Sequence, residues 1–137
     1  MTTQVSACAC PIPLGASSGD SILVIDDDGE FRALAARLLE SAGFHVSTVA
    51  GAAEGLAYMR SHPIDLAILD MVMPDRDGID ALSEIKIRFP GVRVVTVSGA
   101  ADSDLYLTVS SYLGADASLH KSRVASLCAL LNVILDR

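Results

Sequence analysis

Three aspartates carry the first chemical clue. Asp26 and Asp27 follow the apolar run Ile22, Leu23, Val24 and Ile25, and Asp70 follows Leu66, Ala67, Ile68 and Leu69. Ser98 closes another such run over residues 92–97, and Lys121 comes directly after Ala117–His120. Carboxylates gathered at one place repel one another, and the arrangement becomes tolerable when a hard divalent cation sits among them. Mg2+ is the natural choice, because it takes oxygen ligands and keeps several waters, leaving room for carboxylates, a backbone carbonyl and a phosphate. A lysine at the same place would neutralise phosphoryl oxygens, and a serine hydroxyl would donate to one of them. A carboxylate can then act as the nucleophile toward phosphorus and become an acyl phosphate.

That chemistry requires elements that bring the five residues to one rim. Five short apolar runs alternate with helical patterns: residues 22–25, His45–Val49, residues 66–69, residues 92–97 and Ala117–His120. Runs apolar on consecutive residues are expected of parallel strands covered on both faces. Between them Phe31, Leu34, Ala35, Leu38 and Leu39 repeat at helical spacing, with Gly43 as a stop. Residues 52–60 form a second helical pattern ahead of Pro63, and Ile79, Leu82, Ile85 and Phe89 a third ahead of Pro90. Residues 104–113 make the weakest helix, because Thr108, Val109, Ser110 and Ser111 lower its propensity. Val124, Leu127, Leu130, Leu131 and Ile134 mark the last. The expected fold class is α/β: a (βα)5 doubly wound five-stranded parallel sheet in a flavodoxin-like three-layer sandwich. Right-handed crossovers in such sheets leave the ligand site at the carboxyl ends of the strands, where the five residues fall.

The 137 residues suit one domain, expected over residues 21–137, after a Ser-, Ala-, Pro- and Gly-rich flexible tail over residues 1–20. A net charge of -7 without any Lys/Arg cluster argues against direct contact with nucleic acid. Cys8 and Cys10 stand too far from further His or Cys to suggest a metal site, and Cys128 falls in an apolar helical pattern. Cysteine usage suits a reduced compartment, and neither a signal peptide nor a stretch long enough for the membrane is present, so a cytoplasmic protein is expected.

Taken as a set, residues 22–27 followed by Asp28, residues 66–74 with the later Asp77 and Gly78, residues 94–98, and Lys121 resemble a response-regulator receiver domain, over residues 21–137. The resemblance implies that Asp70 is the phosphoacceptor, that Asp26 and Asp27 hold Mg2+ with Asp70 and the backbone carbonyl of Val72, and that Ser98 and Lys121 grip the phosphoryl oxygens. It also implies a phosphohistidine donor on a sensor histidine kinase or histidine phosphotransfer protein. Such a domain is no enzyme toward other substrates but promotes its own phosphorylation and dephosphorylation. With the chain ending at Arg137, after the last helix, it reads as a stand-alone regulator that signals by contact. The helix over residues 104–113 and the final helix would dock a kinase, a phosphotransfer protein, a downstream protein target or a second copy, as in a homodimer.

Four positions depart from the family pattern. Ser122 follows Lys121 where proline is usual, so a trans peptide and a differently shaped loop are expected. Ser118 stands where a switching Tyr or Phe is common, with Tyr106 and Tyr112 as half-buried packing residues. Val72 and Ala100 replace polar side chains that orient hydrolytic water, which implies slow loss of phosphate. His45, His62 and His120 have no metal-ligand spacing and are assigned no chemistry. The alternative reading is a pseudo-receiver, a binding module independent of phosphorylation. A phosphatase acting on external substrates is disfavoured, since no second acid lies two residues after Asp70.

Overall fold

Apolar runs of five residues are too short for stable helices, and they become strands once both faces are covered. In the computed structural model, which describes residues 20–99 and 103–136, the order is β1 (Ser21–Ile25), α1 (Gly29–Ser41), β2 (His45–Val49), α2 (Ala52–Ser61), β3 (Leu66–Asp70), α3 (Gly78–Arg88), β4 (Arg93–Ser98), α4 (Ser103–Tyr112), β5 (Ala117–His120) and α5 (Leu127–Ile134). A 3-10 turn over Lys121–Ser126 joins β5 to α5. All five strands are parallel in the order β2-β1-β3-β4-β5, which is the expected doubly wound sheet. The tail, Cys8 and Cys10, and Ala100 lie outside the described residues.

Side-chain alternation splits the core into two layers. Ile22, Val24, Ile68, Val95 and Val97 pack with Phe31, Ala35 and Leu39 of α1 and with Leu127, Cys128 and Leu131 of α5. Leu23, Ile25, Ala67, Leu69 and Val94 pack with Leu56 and Met59 of α2 and Ala81, Leu82 and Ile85 of α3. Every residue of β3 is buried, so Asp70 is carried to the rim by the most enclosed strand.

Local signals set the helix starts. The Asp28 carboxylate accepts from the Glu30 and Phe31 N–H groups at the start of α1, as capping predicts, and Asp77 accepts from Ile79 at the start of α3. Gly43, with φ 98°, takes the left-handed position just after α1. The final helix differs from expectation: Val124 lies in the 3-10 turn, where Arg123 is non-helical, and α5 begins at Leu127. The three-residue step from Val124 to Leu127 fits either helix type, so apolar spacing could not separate them.

Gly78 is needed for proximity. A Cβ there would sit 2.4 Å from the Met71 Cα and carbonyl oxygen, on the strand end that carries Asp70. Gly78→Ala is expected to cost about 1–3 kcal/mol, the range for overpacking a close contact, seen as a lower urea midpoint at unchanged slope.

Candidate functional site

Burial of charge defines the site. Asp26 is 0% exposed and Asp70 3%, while Asp27 faces solvent, and one carboxylate oxygen from each lies within 4.8 Å of the others. Backbone donors satisfy part of this charge: Asp28 N–H donates to Asp26 Oδ1 at 2.9 Å, and Val72 N–H to Asp70 Oδ1 at 3.1 Å. Lys121 Nζ lies 2.8 Å from Asp26 Oδ2 and 3.4 Å from Asp70 Oδ2. The Asp26 contact is an ion pair by distance, yet its alignment falls short of a hydrogen bond, and Oδ2 is buried with no hydrogen-bond partner.

The electrostatics follow. Burial and the Asp26 charge push the Asp70 carboxyl up to about 7, against the Val72 N–H and the Lys121 ammonium. Burial lowers Lys121, but pairing with Asp26 and Asp70 outweighs it, so its pKa is raised. Crowded carboxylates, one with a buried oxygen that meets an ammonium but accepts no hydrogen bond, are the donor set of a hard cation, and Mg2+ fits these residues.

The remaining candidates converge on the same rim. Ser98 is buried at the end of β4, whose Val97 pairs with Asp70, and Ser98 pairs in turn with His120 of β5. Val72 supplies its N–H to Asp70 and bridges to Asp77, which closes the loop after β3. Asp75 accepts from Ala53 N–H at the start of α2, and Arg76 pairs with Asp80 and Glu84, so both neighbouring helices fasten this loop.

Other contributors were not evident from sequence. Phe31 is a core residue of α1 whose ring lies 4.9 Å below Lys121 Nζ, a cation–π contact that helical spacing does not reveal. Arg32 Nη1 donates to the Asp26 carbonyl at 2.7 Å, holding the turn after β1; a basic residue in the first turn of a helix was its one signal. His120, assigned no chemistry from sequence, accepts from Ser122 N–H through Nδ1 and pairs with the Ser122 hydroxyl. The Lys121–Ser122 peptide is trans, as expected.

Ser118 belongs to a hydroxyl cluster. Thr96 Oγ1 lies 2.7 Å from Ser110 Oγ and 2.9 Å from Ser118 Oγ, and the two serines are 3.0 Å apart. Tyr106 packs half-buried against the core, whereas Tyr112 is 87% exposed and is no packing residue, because it follows the buried Ser110 by two residues and so falls on the opposite face of α4.

A pH dependence follows. Between 3.8 and about 7 the native Asp70 holds a proton that the unfolded chain has lost, so stability falls as pH rises through this window. In metal-free buffer the wild type is expected to show that decline and Asp70→Asn to lack it. Mg2+ should raise the wild-type melting temperature more at about pH 8 than at about pH 5, since the metal requires ionised Asp70.

The fold and rim together define a doubly wound α/β protein with a polycarboxylate site answered by a lysine. The response regulator receiver domain family matches residues 22–132. The regulatory protein VanRc of Enterococcus gallinarum is 36% identical over 98 residues, 71% of this chain and 41% of its own length. A response regulator receiver domain protein (CheY-like) from Methanospirillum hungatei JF-1 has a crystal structure similar at TM-score 0.79 and 31% identity, covering 85% of this chain and 94% of that one. The response regulator TrrA of Thermotoga maritima, in complex with Mg(2+)-BeF, is similar at TM-score 0.66 and 28% identity, over 74% of this chain and 85% of that one. The chain belongs to the response regulator receiver domain family of two-component signalling. It spans about two fifths of the length of curated relatives such as VanRc.

Proposed function

We propose that this chain is a phosphorylation switch that accepts a phosphoryl group on Asp70 from a histidine kinase or histidine phosphotransfer protein and signals by protein contact. The observation that carries this reading is the cluster of Asp26, Asp27 and Asp70 with Lys121 paired to the two buried members.

An Asp70 carboxylate oxygen attacks phosphorus, the bond from phosphorus to the donor nitrogen breaks, and the donor imidazole leaves with its electron pair. Val72 N–H holds Asp70 Oδ1, which orients the carboxylate and leaves Oδ2 on the Lys121 side. As charge moves from carboxylate to phosphoryl oxygens, the Lys121 ammonium follows it, and the Ser98 hydroxyl donates to a second oxygen. Asp26, Asp27, Asp70 and the Val72 carbonyl would hold Mg2+, which when bound neutralises charge on the phosphoryl oxygens.

Resistance of the acyl phosphate to water is part of this reading, since the Val72 side chain is apolar and half exposed beside the site. We place the protein in the cytoplasm, acting on a downstream protein target. Among the described residues no helix is long and apolar enough to cross a membrane. The net charge of -7 favours protein over nucleic acid as its direct partner.

A phosphorylation-independent binding module is the second reading, and the closed Thr96–Ser110–Ser118 cluster favours it, because those hydroxyls already satisfy one another. Intact mass after incubation with Mg2+ and acetyl phosphate separates the two. Gain of one phosphoryl group that needs Mg2+ supports the switch; no gain over a day in folded protein supports the binding module.

A further inference from the structure

Lys121 is the first residue beyond the sheet ladder: β5 pairs with β4 up to His120, opposite Ser98, and strand pairing no longer constrains the chain after it. Its stem crosses Gly99, where a Cβ would lie 3.3 Å from Lys121 Cδ, and its ammonium ends against Asp26, Asp70 and the Phe31 ring. A four-carbon stem has many rotamers, so this endpoint depends on where the backbone launches it.

The launch point is fixed by the residue on either side. His120 has extended φ and ψ of -72° and 140° and caps the 3-10 turn that begins at Lys121. Its Nδ1 accepts from Ser122 N–H at 3.1 Å and lies 2.8 Å from Ser122 Oγ. An imidazole nitrogen that accepts from a backbone N–H carries no proton, so the hydrogen bonds assign the proton to Nε2. The ring ties residue 122 back to residue 120 and closes the chain around Lys121 between them.

We propose that His120 is a positioning residue for phosphoryl transfer, holding through the Ser122 N–H the turn that places the Lys121 ammonium between Asp26 and Asp70. The inference rests on the phosphoacceptor reading of Asp70. His120 touches neither phosphoryl group nor metal in this account, and its whole effect passes through Lys121.

The test uses the full chain with Mg2+ and acetyl phosphate, reading the rate of phosphoryl gain by intact mass, well below the melting point of the least stable variant. His120→Val removes the acceptor and should slow the reaction about fivefold, the effect of losing an ordinary cap. His120→Asn should retain the wild-type rate, because an asparagine oxygen at a cap position accepts from the same N–H. In a Lys121→Ala background, His120→Val should change nothing further, since a residue that acts through another loses its effect when that other is gone. An unchanged rate in His120→Val, failure of His120→Asn to restore it, or equal slowing with and without Lys121 overturns the proposal. Wild-type protein that gains no phosphoryl group overturns the phosphoacceptor reading itself and this inference with it, an outcome visible before any variant is compared.

Discussion

Replacing Lys121 with alanine is expected to slow phosphorylation of Asp70 about a hundredfold, the effect of losing one preorganised group at an oxyanion. The ammonium stands 2.8 Å from Asp26 Oδ2 and 3.4 Å from Asp70 Oδ2, and it is the one cation paired with either carboxylate among the described residues. Its loss acts twice. The transition state loses a positive charge next to the oxygens that become negative, and the resting Asp70 loses a neighbour that holds its pKa down. The second effect takes Asp70 further toward the protonated, non-nucleophilic form, so the deficit should be larger at about pH 6 than at about pH 8. Initial rates by mass at both pH values check this; a deficit under about threefold at both would remove Lys121 from the reaction.

Asp26→Asn has the second large effect, and its signs are opposite with and without metal. Without metal, two buried carboxylates repel across the site and share one ammonium, Lys121, which keeps Asp70 as its partner when Asp26 is neutralised, so removing one charge should raise the melting temperature. With metal, a direct ligand is gone, and Mg2+ affinity should fall by at least about tenfold to a hundredfold, the loss seen even for groups one step removed from a metal. The Mg2+-induced rise in melting temperature should shrink, and phosphorylation at low millimolar Mg2+ should fall with it. The check is a melting series against Mg2+ concentration; an unchanged Mg2+ response would take Asp26 out of the metal site.

Much of this site was legible because parallel strands leave a strong trace. Consecutive apolar residues placed β1, β3 and β4, and the position just after each run placed Asp26, Asp70 and Ser98, because strand ends and site coincide in a doubly wound sheet. Asp28, an aspartate just ahead of the α1 pattern, has the residue type and position of the cap it forms. What stayed hidden depends on contacts between segments far apart in sequence. Phe31 looks like any core residue of an amphipathic helix until the fold puts Lys121 over its ring. Gly78 enters the sequence reading only as a motif member, whereas the constraint on it is the Met71 backbone 2.4 Å from its missing Cβ.

Ser110 shows how local propensity can mislead. It lowers helix propensity and marks α4 as weak, yet its hydroxyl donates to the Leu107 carbonyl and meets Thr96 and Ser118 in the interior. Polar contact therefore seats α4 on β4 and β5 where an apolar ridge would be usual, and single-residue scales carry no information about such a partner.

The central claim is that Asp70 is the phosphoacceptor, and chemical trapping tests it most directly. After incubation with Mg2+ and acetyl phosphate, borohydride reduces an acyl phosphate to the alcohol, which converts the phosphorylated aspartate to homoserine. Peptide mass spectrometry should then find homoserine at position 70, dependent on Mg2+ and on the phosphodonor. Homoserine at another aspartate, or phosphoryl gain that persists in Asp70→Ala, would contradict the account.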